Sequence, residues 1–121
     1  MNETLDKIFT DALRSAIPET ALTVSAWAEK YRYVSAESVA DPALEGLWKN
    51  ERTPYLVGIM DAFSQPNVNE ILFLKSAQVG GTEVLLNILG KLIHTDPCPI
   101  LYACETEDKA KAWSKEKLSP M

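Results

Sequence analysis

Residues 70–90, EILFLKSAQVGGTEVLLNILG, constrain the fold more than any other stretch of this chain. EILFLKS is a short, nearly continuous apolar run, the pattern of a strand covered on both faces in a parallel sheet. From Thr82 to His94, TEVLLNILGKLIH repeats its apolar residues at helical spacing. The loop between them closes on Gly80, Gly81 and Thr82. Strand, glycine-bearing loop and helix, in that order, begin a parallel α/β unit.

The unit continues downstream. PILYAC, residues 99–104, reads as a second buried strand, and TEDKAKAWSKEKL as a last helix. Thr106 is placed to cap that helix, with Glu107 and Asp108 in the first turn where its dipole favours acids. Upstream, Leu5, Ile8, Phe9, Ala12, Leu13 and Ala16 share one helical face, and that helix must stop before Pro18. A short helix is expected from Val24 to about Tyr31, capped by Thr23, with Val24, Trp27, Ala28 and Tyr31 inward. Residues 34–53 show little periodicity and read as an extended connector. A third helix begins with Thr53 as cap and Pro54 as its first residue. Leu56, Ile59, Met60 and Phe63 form its stripe, and SQPN ends it.

Composition narrows the classes. At 121 residues the chain suffices for one small domain. With 46% hydrophobic and 24% charged residues it reads as globular rather than disordered. A net charge of −5 without a basic patch argues against a free-standing nucleic-acid binder, so DNA contact would need a larger protein. Cys98 and Cys104 are too few for a disulfide framework or a metal site and are expected as buried thiols in a reducing compartment. No apolar run approaches the ~20 residues of a membrane span. The opening MNETLDKIFTDALRS lacks a leader core. A cytoplasmic protein with no membrane partner is the expectation.

A loop that cradles phosphates needs glycine at tight positions, a helix starting at the anion, a lysine and a magnesium-binding hydroxyl. The usual spacing is G-x-x-x-x-G-K-[ST]. Here Lys75 to Thr82 reads K-x-x-x-x-G-G-T, so lysine stands at the head and glycine in the lysine's place. Such a loop curls back on itself, and a flexible lysine stem can cross from its first residue to its last. Gly80 and Gly81 would supply the turn and Thr82 the hydroxyl. The other reading of the same residues is a plain Gly-Gly turn between strand and helix, with Lys75 solvated.

LKSAQVGGTEVLLNILG resembles the ATPase loop of the large terminase subunit of lambda-like tailed phages, whose loop lysine also stands at the head. TVSAWAEKYRYVSAES resembles the region before that family's ATPase core. RTPYLVGIMDAFSQPNVNEILFLKSAQVGGTE is similar to its run into the loop, and ILYACETEDKAKAWSKEKLSPM to the next strand and helix. The resemblance implies an ATP-driven motor that pushes DNA into a capsid, with a C-terminal nuclease and a small subunit that recognises the start site. It implies Lys75 as the phosphate lysine and Ser76, Ala77, Gln78, Val79, Gly80 and Gly81 as the cradle. Thr82 would be the magnesium ligand. Tyr55, with Trp48 as second candidate, would stack on the base, or both would simply pack a helix start. Glu105 and Thr106, at the end of the second strand, would couple the site, or Thr106 would only cap the last helix.

Two departures stand out. Some relatives carry a lysine beside the loop threonine, where this chain has Gly81 and Glu83. The family's catalytic aspartate–glutamate pair, and its nuclease carboxylates, match nothing in the sequence, so no catalytic residue is assigned.

The expected class is therefore α/β: N-terminal helices followed by the first part of a P-loop NTPase parallel sheet, truncated. Residues 1–52 are expected as a helical and connector region with a possible small-subunit contact, and 53–121 as the start of the ATPase domain. The implied cofactors are ATP and Mg2+. The implied partners of the intact protein are the small terminase subunit, the portal and double-stranded DNA. ATP hydrolysis by this chain alone is not expected. Because two strands make no stable sheet, exposed edges and apolar faces predict self-association. The alternative is an interaction piece or prophage remnant with a vestigial loop. His94, Glu105 with Lys109, and Glu107 with Lys111 read as helix-surface features. Trp113 reads as core or as an interface.

Overall fold

The computed structural model describes residues 2–16, 21–36 and 41–121. It is helix-rich, with one small antiparallel sheet. Helix α1 spans Asn2–Ala16 and carries its apolar stripe outward, with Leu5, Ile8, Phe9 and Leu13 all more than half exposed. The expected break before Pro18 lies outside the described residues.

Helix α2, Val24–Tyr31, follows its cap, Thr23, whose side chain accepts from the Ala26 amide. The two preceding amides find acceptors on another helix. Val24 N–H donates to Ser64 Oγ at 3.1 Å and Ser25 N–H to Asp61 Oδ1 at 3.1 Å. The orphan donors of the helix start are thus met across an interface rather than by water.

Strands β1, Tyr33–Val34, and β2, Gly46–Leu47, pair antiparallel with Tyr33 opposite Leu47 and Val34 opposite Gly46. The Trp48 amide extends the ladder by donating to the Arg32 carbonyl at 2.8 Å. The expected extended connector over residues 34–53 is therefore corrected: it takes part in a strand pair and holds 3₁₀ turns at Pro42–Leu44 and Asn50–Arg52. Strands of two residues are too short to show an alternating pattern.

Helix α3, Pro54–Phe63, starts at its proline as expected. Thr53 holds the N-cap position, but its side chain caps nothing. Leu56 and Met60 are fully buried, Ile59 packs at the edge and Phe63 is 40% exposed. Helix α4, Gly81–Thr95, packs on α2 and α3. The core is Val24, Trp27 and Ala28 from α2, Leu56 and Met60 from α3, and Val84 from α4, closed by Val34 and Trp48. The α2–α4 crossing is close. A Cβ on Gly90 would stand 2.5 Å from the Trp27 ring, whose Nε1–H donates to His94 Nδ1 at 3.0 Å.

The parallel sheet is not formed among the described residues. Residues 70–75 and 99–104 adopt no regular secondary structure and hydrogen-bond into no ladder. A strand exists only with a neighbour about 4.8 Å away, and neither stretch has one. Phe73 packs on the core while Leu72 and Leu74 stand 91% and 96% exposed, so one face of the run is covered and the other is not. The two thiols also differ from expectation. Cys98 is exposed and Cys104 half-buried, because the second apolar run is not enclosed.

Helix α5, Glu107–Trp113, passes into a π turn over Ser114–Leu118. Thr106 caps it by accepting from the Lys109 amide. Trp113 stacks on Tyr102, ring centroids 4.0 Å apart. No helix among the described residues is long and apolar enough to cross a membrane.

Candidate functional site

The loop between Lys75 and α4 uses two left-handed residues. Gln78 has φ +60° and Gly80 φ +82°. A non-glycine residue in this region is uncommon and reports a backbone held by its surroundings. Gly80 also lies against α3, where a Cβ would meet Leu56 Cδ1 at 2.9 Å. Glycine is required there twice over, by angle and by space.

Gly81 is different. It is the first residue of α4 and carries no positive φ. A Cβ there would overlap the Lys75 stem, 2.3 Å from Cε and 2.5 Å from Cδ. The lysine at the head of the loop lies across the residue at its end. The expectation that both glycines form the turn is corrected: Gly80 turns, and Gly81 leaves room for Lys75. Lys75 Nζ donates to the Ser76 carbonyl at 3.4 Å and remains exposed at the start of α4. Thr82 follows in the first turn, half-buried. Lys75, Gly81 and Thr82 share the wall of an open trough of about 700 Å³ with Phe73, Val84 and Tyr102.

A second cavity, about 220 Å³, is also bounded by the loop. Trp48, Tyr55, Leu44 and Val34 give it apolar walls, and Gln78 and Gly80 bound it from the loop. Tyr55 Oη donates to the Val79 carbonyl at 3.4 Å, tying the start of α3 to the loop. Tyr55 is 58% exposed. Trp48 is largely buried, and its Nε1–H donates to Asn50 Oδ1 at 2.9 Å. Thr53 Oγ1 is buried beside this cavity without a hydrogen-bond partner. Such a group is uncommon in a folded chain.

Sequence reasoning missed the ion pair behind the loop. Arg32 Nη2 donates to Glu83 Oε2 at 3.2 Å, with Arg32 only 2% exposed. Burial lowers the Arg32 pKa, and the Glu83 charge and hydrogen bond offset part of that shift. The partners lie 51 positions apart, so no local pattern links them.

The remaining candidates separate from the loop. Glu105 pairs with Lys109 and Glu107 with Lys111 on α5. The Lys109 hydrogen bond, then its charge, holds the Glu105 carboxyl below its ordinary range. Thr106 is occupied as a cap. His94 belongs to the α2–α4 contact through Trp27 and Tyr31.

Comparison with known proteins identifies the setting of this loop. The model of the phage terminase large subunit gpA ATPase domain matches residues 42–121. The terminase large subunit of Enterobacteria phage P21 is 32% identical over 108 residues. That of Escherichia phage lambda is 29% identical over 108 residues. Each alignment covers 89% of this chain and 16% of the relative, so the chain spans a small part of the length of the proteins it resembles. No solved structure matches the chain significantly.

Proposed function

The chain belongs to the phage terminase large subunit gpA ATPase family, and on that premise we propose that residues 75–82 hold the phosphates of ATP in a DNA-packaging motor. The observation that carries this reading is the Lys75 stem lying across Gly81 at the start of α4. A charge at the head of the loop thereby reaches the helix N-terminus, where free amides and the dipole favour an anion. The left-handed pair at Gln78 and Gly80 supports a cradle of inward amides.

Thr82 is the proposed magnesium ligand. Among the described residues no group of three or more His, Cys, Asp or Glu could hold a metal alone. The proposed ion is one carried in on the nucleotide, as magnesium usually is. Bound there it would offset phosphate charge. Tyr55, with Trp48 behind it, is the proposed base contact. The flanking apolar runs are proposed as strands of the P-loop sheet, paired once neighbouring strands are present. Proposed partners of the whole motor are double-stranded DNA, the portal and the small terminase subunit. The outward apolar stripe of α1 favours a partner contact at that end.

The test is equilibrium binding of a fluorescent ATP analogue, with magnesium, to the full chain, to Lys75→Ala and to Lys75→Ala/Gly81→Lys. Saturable binding lost in the single variant and regained in the double supports the reading. Binding indifferent to Lys75, or absent from a folded wild-type chain, refutes it. ATP turnover abolished by Lys75→Ala would overturn the expectation that this chain binds without hydrolysing.

A further inference from the structure

Glu83 poses an electrostatic problem for the loop. It sits in the first turn of α4, one residue after Thr82, and lines the cavity that Gln78 and Gly80 also bound. An acid there draws on the same positive helix end that an incoming phosphate would use. Unpaired, it would repel that phosphate.

Arg32 meets this charge from outside the loop. Its backbone is fixed twice: the amide donates to the Ala28 carbonyl at 2.9 Å, and the carbonyl accepts from Trp48. One guanidinium nitrogen, Nη1, donates to the Tyr33 carbonyl and the other, Nη2, to Glu83. Nε is buried with no partner. A guanidinium buried with one donor unmet costs stability. A pair maintained for fold stability alone would be better replaced by apolar side chains. The arrangement instead places a permanent positive charge behind the acid nearest the loop.

We propose that Arg32 is a positioning residue for nucleotide binding, which turns the Glu83 carboxylate away from the start of α4 and neutralises it so that a phosphate chain can approach. The inference rests on the reading of residues 75–82 as a phosphate loop. It makes the region before the loop part of the site's electrostatics although it contributes no atom to the ligand.

The experiment measures binding of fluorescent ATP, ADP and AMP, with magnesium, to the wild-type chain, Arg32→Met, Glu83→Gln and the double variant. Circular dichroism monitors folding. Arg32→Met is expected to weaken ATP about tenfold, the scale of one poorly screened charge contact, with smaller losses for ADP and AMP. Glu83→Gln alone should bind within about twofold of wild type, because the repelling charge is gone. The double variant should recover most of the loss. A merely structural defect, including the cost of leaving Glu83 without its partner, would weaken all three nucleotides alike, so the dependence on phosphate number is what separates the two. Equal losses, no recovery, or weak binding by folded Glu83→Gln would overturn the proposal. Should Arg32→Met not fold, the Glu83→Gln result and the double variant decide. Wild-type binding that ignores Lys75→Ala would refute the phosphate-loop reading and this inference together. Lys75-dependent binding unaffected by Arg32→Met would refute the inference alone.

Discussion

Lys75 and Gly81 occupy one space: the aliphatic stem of the first lies where the second would carry a side chain. The loop's ends are therefore matched in volume. Gly81→Ala is expected to push the stem aside. The displaced atoms are the far end of a flexible chain, so the cost falls on binding rather than folding. Affinity for the magnesium–ATP analogue should drop about tenfold, while the urea midpoint moves by less than an equivalent of ~1 kcal/mol.

Gly90→Ala should behave in the opposite way. Alanine is the better helix former by about 1 kcal/mol, yet its Cβ would stand 2.5 Å from the Trp27 ring. Trp27 is 5% exposed and tethered to His94, so it has little room to move. Net destabilisation of about 1–3 kcal/mol is expected in urea unfolding, the usual range for overpacking. Unchanged or increased stability would show that α2 and α4 sit further apart.

Tyr55 joins two roles that substitution can separate. Its hydroxyl donates to the Val79 carbonyl, and its ring walls the smaller cavity. Tyr55→Phe keeps the ring and should cost binding of the ATP analogue no more than about threefold. Tyr55→Ala removes the wall and should cost about tenfold or more, with the loss confined to base-bearing ligands and absent for inorganic triphosphate. Equal losses for both ligands would assign Tyr55 to holding the loop.

Glu105 gives a pH-dependent signature. Its folded pKa is held below the ordinary carboxylate value by Lys109. The pairing is present above the unfolded carboxylate pKa and is lost as pH falls through the depressed folded value. An NMR titration should show Glu105 protonating below the usual range. Lys109→Ala should return it toward that range. Because the pair is fully exposed, little change in overall stability should accompany the shift.

What the sequence revealed followed the range of the interactions involved. The start of α3 at Pro54, the span of α2 and the Thr106 cap are set by neighbours within a turn, and each stands where local patterning placed it. The strand pair of Tyr33–Val34 with Gly46–Leu47 was illegible because its register comes from Trp48 reaching back to Arg32. Arg32 and Glu83 left no mark because charges so distant in sequence share no periodicity. Gly81 misled in a third way, since a glycine that makes room looks the same in sequence as one that turns the chain. The apolar runs around Leu72 and Leu101 read as buried strands, yet both residues stand more than 90% exposed. Hydrophobicity shows what a segment would cover, whereas burial needs the covering partner as well.

The amides that open α2 are answered by Asp61 of α3 and by Ser64, the residue that follows that helix. A helix of eight residues is too short to persist alone in water. During synthesis α2 would therefore gain its start only after about forty further residues had left the ribosome, when α3 became available to receive it. By then Gly81 and α4 are next to emerge, so the upstream contact would form just ahead of the loop that it flanks.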